Sequence, residues 1–411
     1  MKKLIALVLA AMLCMAACAA LAADLKIGAV MLGDETEGYT LAHMEGIKQA
    51  AAELGLSDSI VWKYKVPEDQ TCYDSALDLV GQGCNLIISN SYGHQSYMAL
   101  AAEEYPDVTF VAMTGDFAAL SGLDNLKNAF TKVYQSRYVS GVVAGMKLAE
   151  MLGDGTLSAE KQPNSFDADG NVKIGYVGAY NYAEVVSGYT AFFLGIRSIV
   201  PNVTMEVMYT NSWFDTDKEG AAAEALVAKG CVIIGQHADS TGAPAAVQKL
   251  QDAGTICYSI GYNIDMLPTA PTAALTSATN VWSVFYKELF GAAMNGEEIA
   301  SDWAKGYDDG AVAVTEFGPS CAAGTAEKVA EVEAALRDGS LKVFDTAAFT
   351  VNGETVTSAP CDMTIMDWAT GTVAYQGETY EGIVDGAFEE STFRSAPYFT
   401  LRIDGTVEDA Q

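Results

Sequence analysis

The 411 residues carry 53 acidic side chains against 23 basic ones, a formal net charge of −30, and a field of that sign repels nucleic acid, anionic lipid and multiply phosphorylated ligands. Half of the residues are hydrophobic and the acids are dispersed, so the charge coats a real core and does not mark a disordered chain. With His43, His94 and His237 as the only histidines and no CxxC spacing, little is left from which to build a structural zinc site.

Taken in chain order, Met1, Lys2 and Lys3 precede an apolar run to residue 22, the pattern of a secretory leader. The chain is therefore expected to be exported, to a periplasm or a cell surface. Ala20-Leu21-Ala22 suits an ordinary signal peptidase, while Met15-Ala16-Ala17-Cys18 resembles a lipobox that would put a lipid anchor on Cys18. Six cysteines follow: Cys72, Cys84, Cys231, Cys257, Cys321 and Cys361. An exported chain can pair them, and sequence does not choose between disulfides and buried free thiols.

From Asp24 onward strand and helix patterns alternate. LKIGAVML (25–32), SIVWKYKV (59–66), NLIISNS (85–91) and VTFVAMTG (108–115) read as strands, with helices expected over 41–54, 73–82 and 95–104. A helix of small residues over 137–151 leads into a polar stretch at 154–171. The alternation then restarts with VKIGYVGA, TMEVMYT, CVIIGQ, TICYSIGY and AALTS, separated by helices over 185–199, 218–229 and 244–253. If those strands are parallel neighbours, Cys231 and Cys257 lie close together. Short β-branched runs between helices of ten or more residues predict α/β architecture with two doubly wound parallel sheets, hence two lobes and a cleft between them. We assign 24–135 and about 281–355 to lobe 1, 136–280 to lobe 2, and 356–411 to a β-rich extension of no derived function. Helices are expected over 281–294 and 326–337, and Asn352-Gly353 is a hairpin signal.

In open α/β sheets ligands sit beyond the carboxyl ends of strands. Loops 211–216 and 236–240, NSWFDT and QHADS, both follow strands. Together with SNSYG (89–93), YPDVTFVAMTG (105–115), QSRYVSGVVAGM (135–146), YAEVVSGYTAFFLG (182–195), SIGYNIDM (259–266) and the LTS ending at Ser277, they form an ordered series. That series resembles the basic membrane protein family of ABC-transporter solute-binding proteins, over roughly residues 24–353. The resemblance implies a type I periplasmic-binding-protein fold, hinge closure on a small molecule, an ABC permease as membrane partner, a monomer, and neither catalysis nor cofactor. PnrA-like members of the family bind purine nucleosides or bases. Nucleoside-binding members carry an acidic residue that aligns here with Asn263 or Asp265, and a lysine that aligns with Asn280; both hold ribose. Loss of that lysine points to a free purine base, adenine or a relative, ahead of a nucleoside.

A purine needs flat groups over its faces and directional donors and acceptors at its rim. Tyr39, Tyr92, Trp213 and Trp282 are the candidates for faces, with core packing as the alternative for each. Asn90, Ser91, Gln236, His237, Asp239 and Asp265 are the candidates for the rim. Asp215 is expected to cap the helix that follows it, and His237 is either a ligand contact or a satisfied structural histidine. A sensor using the same cleft is the alternative function. A nucleoside hydrolase would have to start from His237, Asp239 and Ser240, without a GxSxG elbow, HExxH, P-loop or dinucleotide fingerprint anywhere in the chain.

Overall fold

Runs of apolar residues become strands buried on both faces, as β1 (Ile27–Val30) shows with no exposed position. The computed structural model describes residues 25–367 and 370–409; the leader expected at 1–22 and its Cys18 lie outside them. After β1 come α1 (Gly38–Leu54), β2 (Ile60–Lys63), α2 (Gln70–Gly81), β3 (Leu86–Ser89), α3 (Gln95–Glu104), β4 (Thr109–Met113), α4 (Ala118–Ser121) and β5 (Leu126–Ala129). Helices α1 and α2 start three residues earlier than the apolar pattern predicts, because Glu37 and Asp69 cap them by accepting from Thr40 N and Thr71 N.

Helix α5 (Val133–Gly153) carries the chain into the second half: β6 (Val172–Gly178), α6 (Ala183–Arg197), β7 (Val203–Tyr209), α7 (Thr216–Ala228), β8 (Ile233–Gln236), α8 (Gly242–Asp252), β9 (Tyr258–Tyr262) and β10 (Ala274–Asn280). Then follow α9 (Trp282–Asn295), β11 (Asp302–Trp303), β12 (Val312–Val314) and α10 (Thr325–Arg337). The first sheet has the order β11-β5-β4-β3-β1-β2 and every pairing in it is parallel. The second runs β12-β10-β9-β8-β6-β7 and ends on a last strand, Thr406–Glu408; only β12 is antiparallel to its neighbour. The predicted pair of doubly wound α/β lobes is thus present.

The segment 281–355, assigned to lobe 1 from sequence, divides at Trp303. Helix α9 and β11 do return to the first sheet, where Phe285, Tyr286, Leu289, Phe290 and Trp303 join its core. β12 instead pairs with β10, and Val329, Val332 and Leu336 of α10 bury in the second core beside Val139 and Val142 of α5. The tail is also more than an appendage. Phe388, Tyr398 and Phe399 lie in the second core, Ile365 lies in the first, and Thr406–Glu408 extends the second sheet beside β7. Asn352 and Gly353 both take positive φ, 54° and 81°, as a tight hairpin turn requires. All six cysteines are free thiols; Cys231 and Cys257 precede neighbouring strands without bonding to each other, and the Cys257 thiol points at Val247 O.

Candidate functional site

The carboxyl ends of β1, β3 and β4 in the first sheet and of β6, β7, β8 and β9 in the second deliver their loops to one cavity, as the sheet topology demands. It encloses about 430 Å3 including its mouth and is lined by Leu32, Glu37, Tyr39, Asn90, Ser91, Tyr92, Thr114, Glu184, Trp213, His237, Asp239 and Tyr262. The two lobes touch beside it, where Gly38 N, at the start of α1, donates to Asp239 O at 3.2 Å. A Cβ on residue 38 would stand 3.0 Å from that same carbonyl, so a small residue lets the lobes approach.

Seven of the ten residues singled out from sequence line this cavity: Tyr39, Asn90, Ser91, Tyr92, Trp213, His237 and Asp239. Two of them are already committed to the fold. The Asn90 amide accepts from Leu32 N at 2.7 Å and donates to Thr40 Oγ1 at 3.0 Å, while the Ser91 hydroxyl donates to Glu68 Oε1 at 2.5 Å. Each ties the loop after β3 to its neighbours. By contrast the Tyr39 and Tyr262 hydroxyls are buried without a protein partner.

Three expectations are corrected. Gln236 is the last residue of β8, and since side chains alternate along a strand it turns away from the face His237 takes; its amide donates to Ala238 O and Ser240 O and shapes the QHADS loop. Asp265 is exposed and closes a turn by accepting from Leu267 N at 2.9 Å. Trp282 is buried behind the wall, stacked on His43 with ring centroids 4.2 Å apart and edge-on to Tyr39 at 6.5 Å. It braces the Tyr39 ring from behind. Asp215 caps α7, accepting from Lys218 N at 3.0 Å, as its position before a helix predicts.

Glu184, Glu37, Tyr262, Leu32 and Thr114 line the cavity and were not foreseen. Glu184 opens α6, whose remaining face is almost wholly apolar, and a lone acid on such a helix was the available signal. Its Oε1 lies 3.1 Å from His237 Nε2, and His237 Nδ1 lies 3.5 Å from the Tyr176 hydroxyl. Burial pushes the Glu184 carboxyl up to about 7, with the Arg137 guanidinium pulling the other way. Burial, reinforced by that same guanidinium, holds His237 well below its ordinary range, so the ring is neutral. Asp239 is raised well above the usual carboxylate range, by burial first and then by the carboxylates of Glu37, Glu219 and Glu184. Beneath them Arg137 lies 3.5 Å over the Tyr262 ring and donates to Gln236 O. The cavity thus combines four aromatic side chains with a rim of acids whose protonated forms are favoured by burial and a neutral imidazole.

The positions expected to meet ribose are occupied by the protein itself. Thr131 Oγ1 donates to Asn280 Oδ1, Asn280 Nδ2 donates to Asn263 Oδ1 at 3.3 Å, and Asn263 Nδ2 donates to Asp239 Oδ1 at 2.6 Å. This buried chain of side chains ends on the rim and contributes neither Asn280 nor Asn263 to the lining.

Two parallel α/β lobes enclosing a cleft are also the fold of a solute-binding protein of an ABC transporter system from Aeropyrum pernix K1: TM-score 0.62 at 14% identity, over 80% of this chain and 94% of that one. The family model for Bmp, the PnrA-like ABC transporter substrate-binding proteins, matches residues 35–338, and the chain belongs to that family. It is a substrate-binding protein and not an enzyme; proteins of this kind bind small molecules outside the cytoplasm and deliver them to a membrane permease. A purine-binding protein of Brucella abortus (strain 2308) is 31% identical over 322 residues, 78% of this chain and 83% of that one. A Haloferax volcanii protein named for ABC-transporter glucose binding is 30% identical over 313 residues, 76% of this chain and 72% of that one. Among the described residues no helix is long and apolar enough to cross a membrane.

Proposed function

We propose that this protein, exported by way of residues 1–22, captures a purine base such as adenine as a monomer and passes it to an ABC permease. The observation that carries the reading is the composition of the cavity: the rings of Tyr39, Tyr92, Trp213 and Tyr262 around a rim of Glu184, His237 and Asp239. Flat rings suit the faces of a heterocycle. Glu184, pushed up to about 7, can accept from an exocyclic amino group when ionised or donate to a ring nitrogen when protonated, and Asp239, raised in the same direction, has the same two options. Lobe closure follows from contacts made to one ligand by both lobes, which favour the closed form in proportion to those contacts. The Brucella relative, named for purine binding, agrees with this reading.

The Asn280–Asn263–Asp239 chain favours a base over a nucleoside, because the amides that would meet a ribose are already hydrogen-bonded to one another. A hexose is the competing ligand, on the strength of the Haloferax relative. Calorimetric titration separates these readings. Adenine is expected to bind near micromolar, about −8 kcal/mol, with ribose and glucose showing no heat. Trp213→Ala is expected to weaken adenine about five- to thirtyfold while unfolding remains cooperative. Adenosine binding about a hundredfold tighter than adenine would overturn the base reading, and glucose binding in place of adenine would overturn the purine reading.

A further inference from the structure

Beyond the inner cavity the cleft widens into a second chamber of about 930 Å3 including its open side. The two share Tyr92, Thr114, Glu184 and Trp213, so they adjoin across those side chains. What distinguishes the outer chamber is its far wall, which the C-terminal segment supplies through Met366, Arg394, Ala396 and Pro397. The family model stops at residue 338, so this wall lies outside the part of the chain that defines the family.

The wall is built rather than draped. On the first lobe, Arg394 pairs with the buried Asp116 at 3.1 Å, Ser395 N donates to Asp302 Oδ2 at 2.7 Å, and Tyr375 packs edge-on against Phe117 at 5.1 Å. On the second, Phe399 stacks on Phe344 at 4.4 Å within the core. The Arg394–Asp116 pair is engaged further: Asp116 also accepts from Gln95 Nε2 at 3.1 Å, and Arg394 Nε donates to Ala396 O, while Glu184, shared with the inner cavity, lies 3.1 Å from His237. What is presented to the space is therefore mainly ring and hydrocarbon, from Tyr182, Trp213, Met366 and Pro397. Met366 is 47% exposed, so its side chain is accessible to a group that enters the chamber.

We propose that the outer chamber is a second subsite, which takes an apolar or aromatic substituent carried on the heterocycle held in the inner cavity. This rests on the purine reading above and narrows it: the preferred ligand is a substituted purine, and the C-terminal segment reads the substituent. No covalent step is involved; selectivity comes from covering Met366 and the ring faces, which a bare base leaves in water.

Titration of the full chain with adenine, N6-benzyladenine and 9-benzyladenine tests it, because the two benzyl positions cover both ways a purine can sit with a substituent pointing outward. One of the benzylated compounds is expected to bind at least about tenfold tighter than adenine. Met366→Ala should reduce that gain at least about threefold and leave adenine unchanged; Met366→Trp, which narrows the chamber at an exposed position, should also abolish the preference. Adenine binding with neither benzyl compound exceeding it, or a gain that survives both substitutions, overturns the subsite and leaves the purine reading standing. Failure of all three compounds to bind overturns both.

Discussion

Glu184 gives the site a pH signature. Its carboxyl titrates at about 7 in the folded protein, against an ordinary value of 4.5. Between those values the folded chain keeps a proton that the unfolded chain has released. The stability this group contributes is thus present in full below about pH 4.5 and lost as pH rises through about 7. Glu219, also buried and raised to about 7, acts in the same direction. Glu184→Gln is expected to be about 1 to 3 kcal/mol more stable than the parent near pH 8 and nearly equal to it near pH 4. Thermal melts of both proteins across that range measure the difference, and a gap independent of pH would contradict the assignment. At this scale His237 and Asp239 were legible in the sequence, because polar residues following a buried strand are loop residues at a strand's carboxyl end. Glu184 was masked, because an acid in the first turn of a helix also has an ordinary role there, complementing the helix dipole, which hides the signal of a lone acid on an apolar helix.

Among the elements, α5 and α6 carry the clearest packing constraint. A Cβ on Gly141 would lie 2.1 Å from Phe192 O, and one on Gly195 would lie 2.1 Å from Tyr138 O. The two helices therefore meet backbone to backbone, and that contact fixes where α6 presents Glu184. Gly195→Ala must push the helices apart, at a cost of about 1 to 3 kcal/mol. We expect a Tm lower by several degrees, together with weaker ligand binding as Glu184 shifts. An unchanged melt would show that the helices can slide at no cost. The small-residue pattern of RYVSGVVAGM was visible in the sequence, but its partner helix was not. Helix starts illustrate the same limit: α1 and α2 begin at their capping acids, Glu37 and Asp69, ahead of the first apolar repeat.

For the whole molecule, the C-terminal segment is part of the fold. Phe344, Phe349, Phe388, Tyr398 and Phe399 are buried in the second core, and each large aromatic lost from a core costs about 3 to 5 kcal/mol. Their sum matches or exceeds the roughly 5 to 15 kcal/mol by which a domain is stable. A chain ending at Asp338, where the match to the family model stops, is accordingly expected to lose its cooperative thermal transition or to melt at least about 10 °C lower. Dye binding to exposed apolar surface should rise with it. A truncated protein with a parental melt would show the tail to be an independent appendage.

Sequence by itself determined the alternation of strand and helix, the two doubly wound sheets, the family, and most of the cavity's loops, because hydrophobic periodicity and residues following a strand are local properties that the backbone reads directly. Tertiary structure alone decided which of those loop residues line the cavity. Gln236 turned inward by strand alternation, Trp282 passed behind Tyr39, and Asp265 stayed on the surface, since each outcome depends on packing against residues far away in the chain. It also decided what the last seventy residues do. Their strands are too short to declare a partner, and contacts distant in sequence, such as the burial of Phe388 and Phe399 in one lobe and the Arg394–Asp116 pair on the other, bring that segment across the cleft.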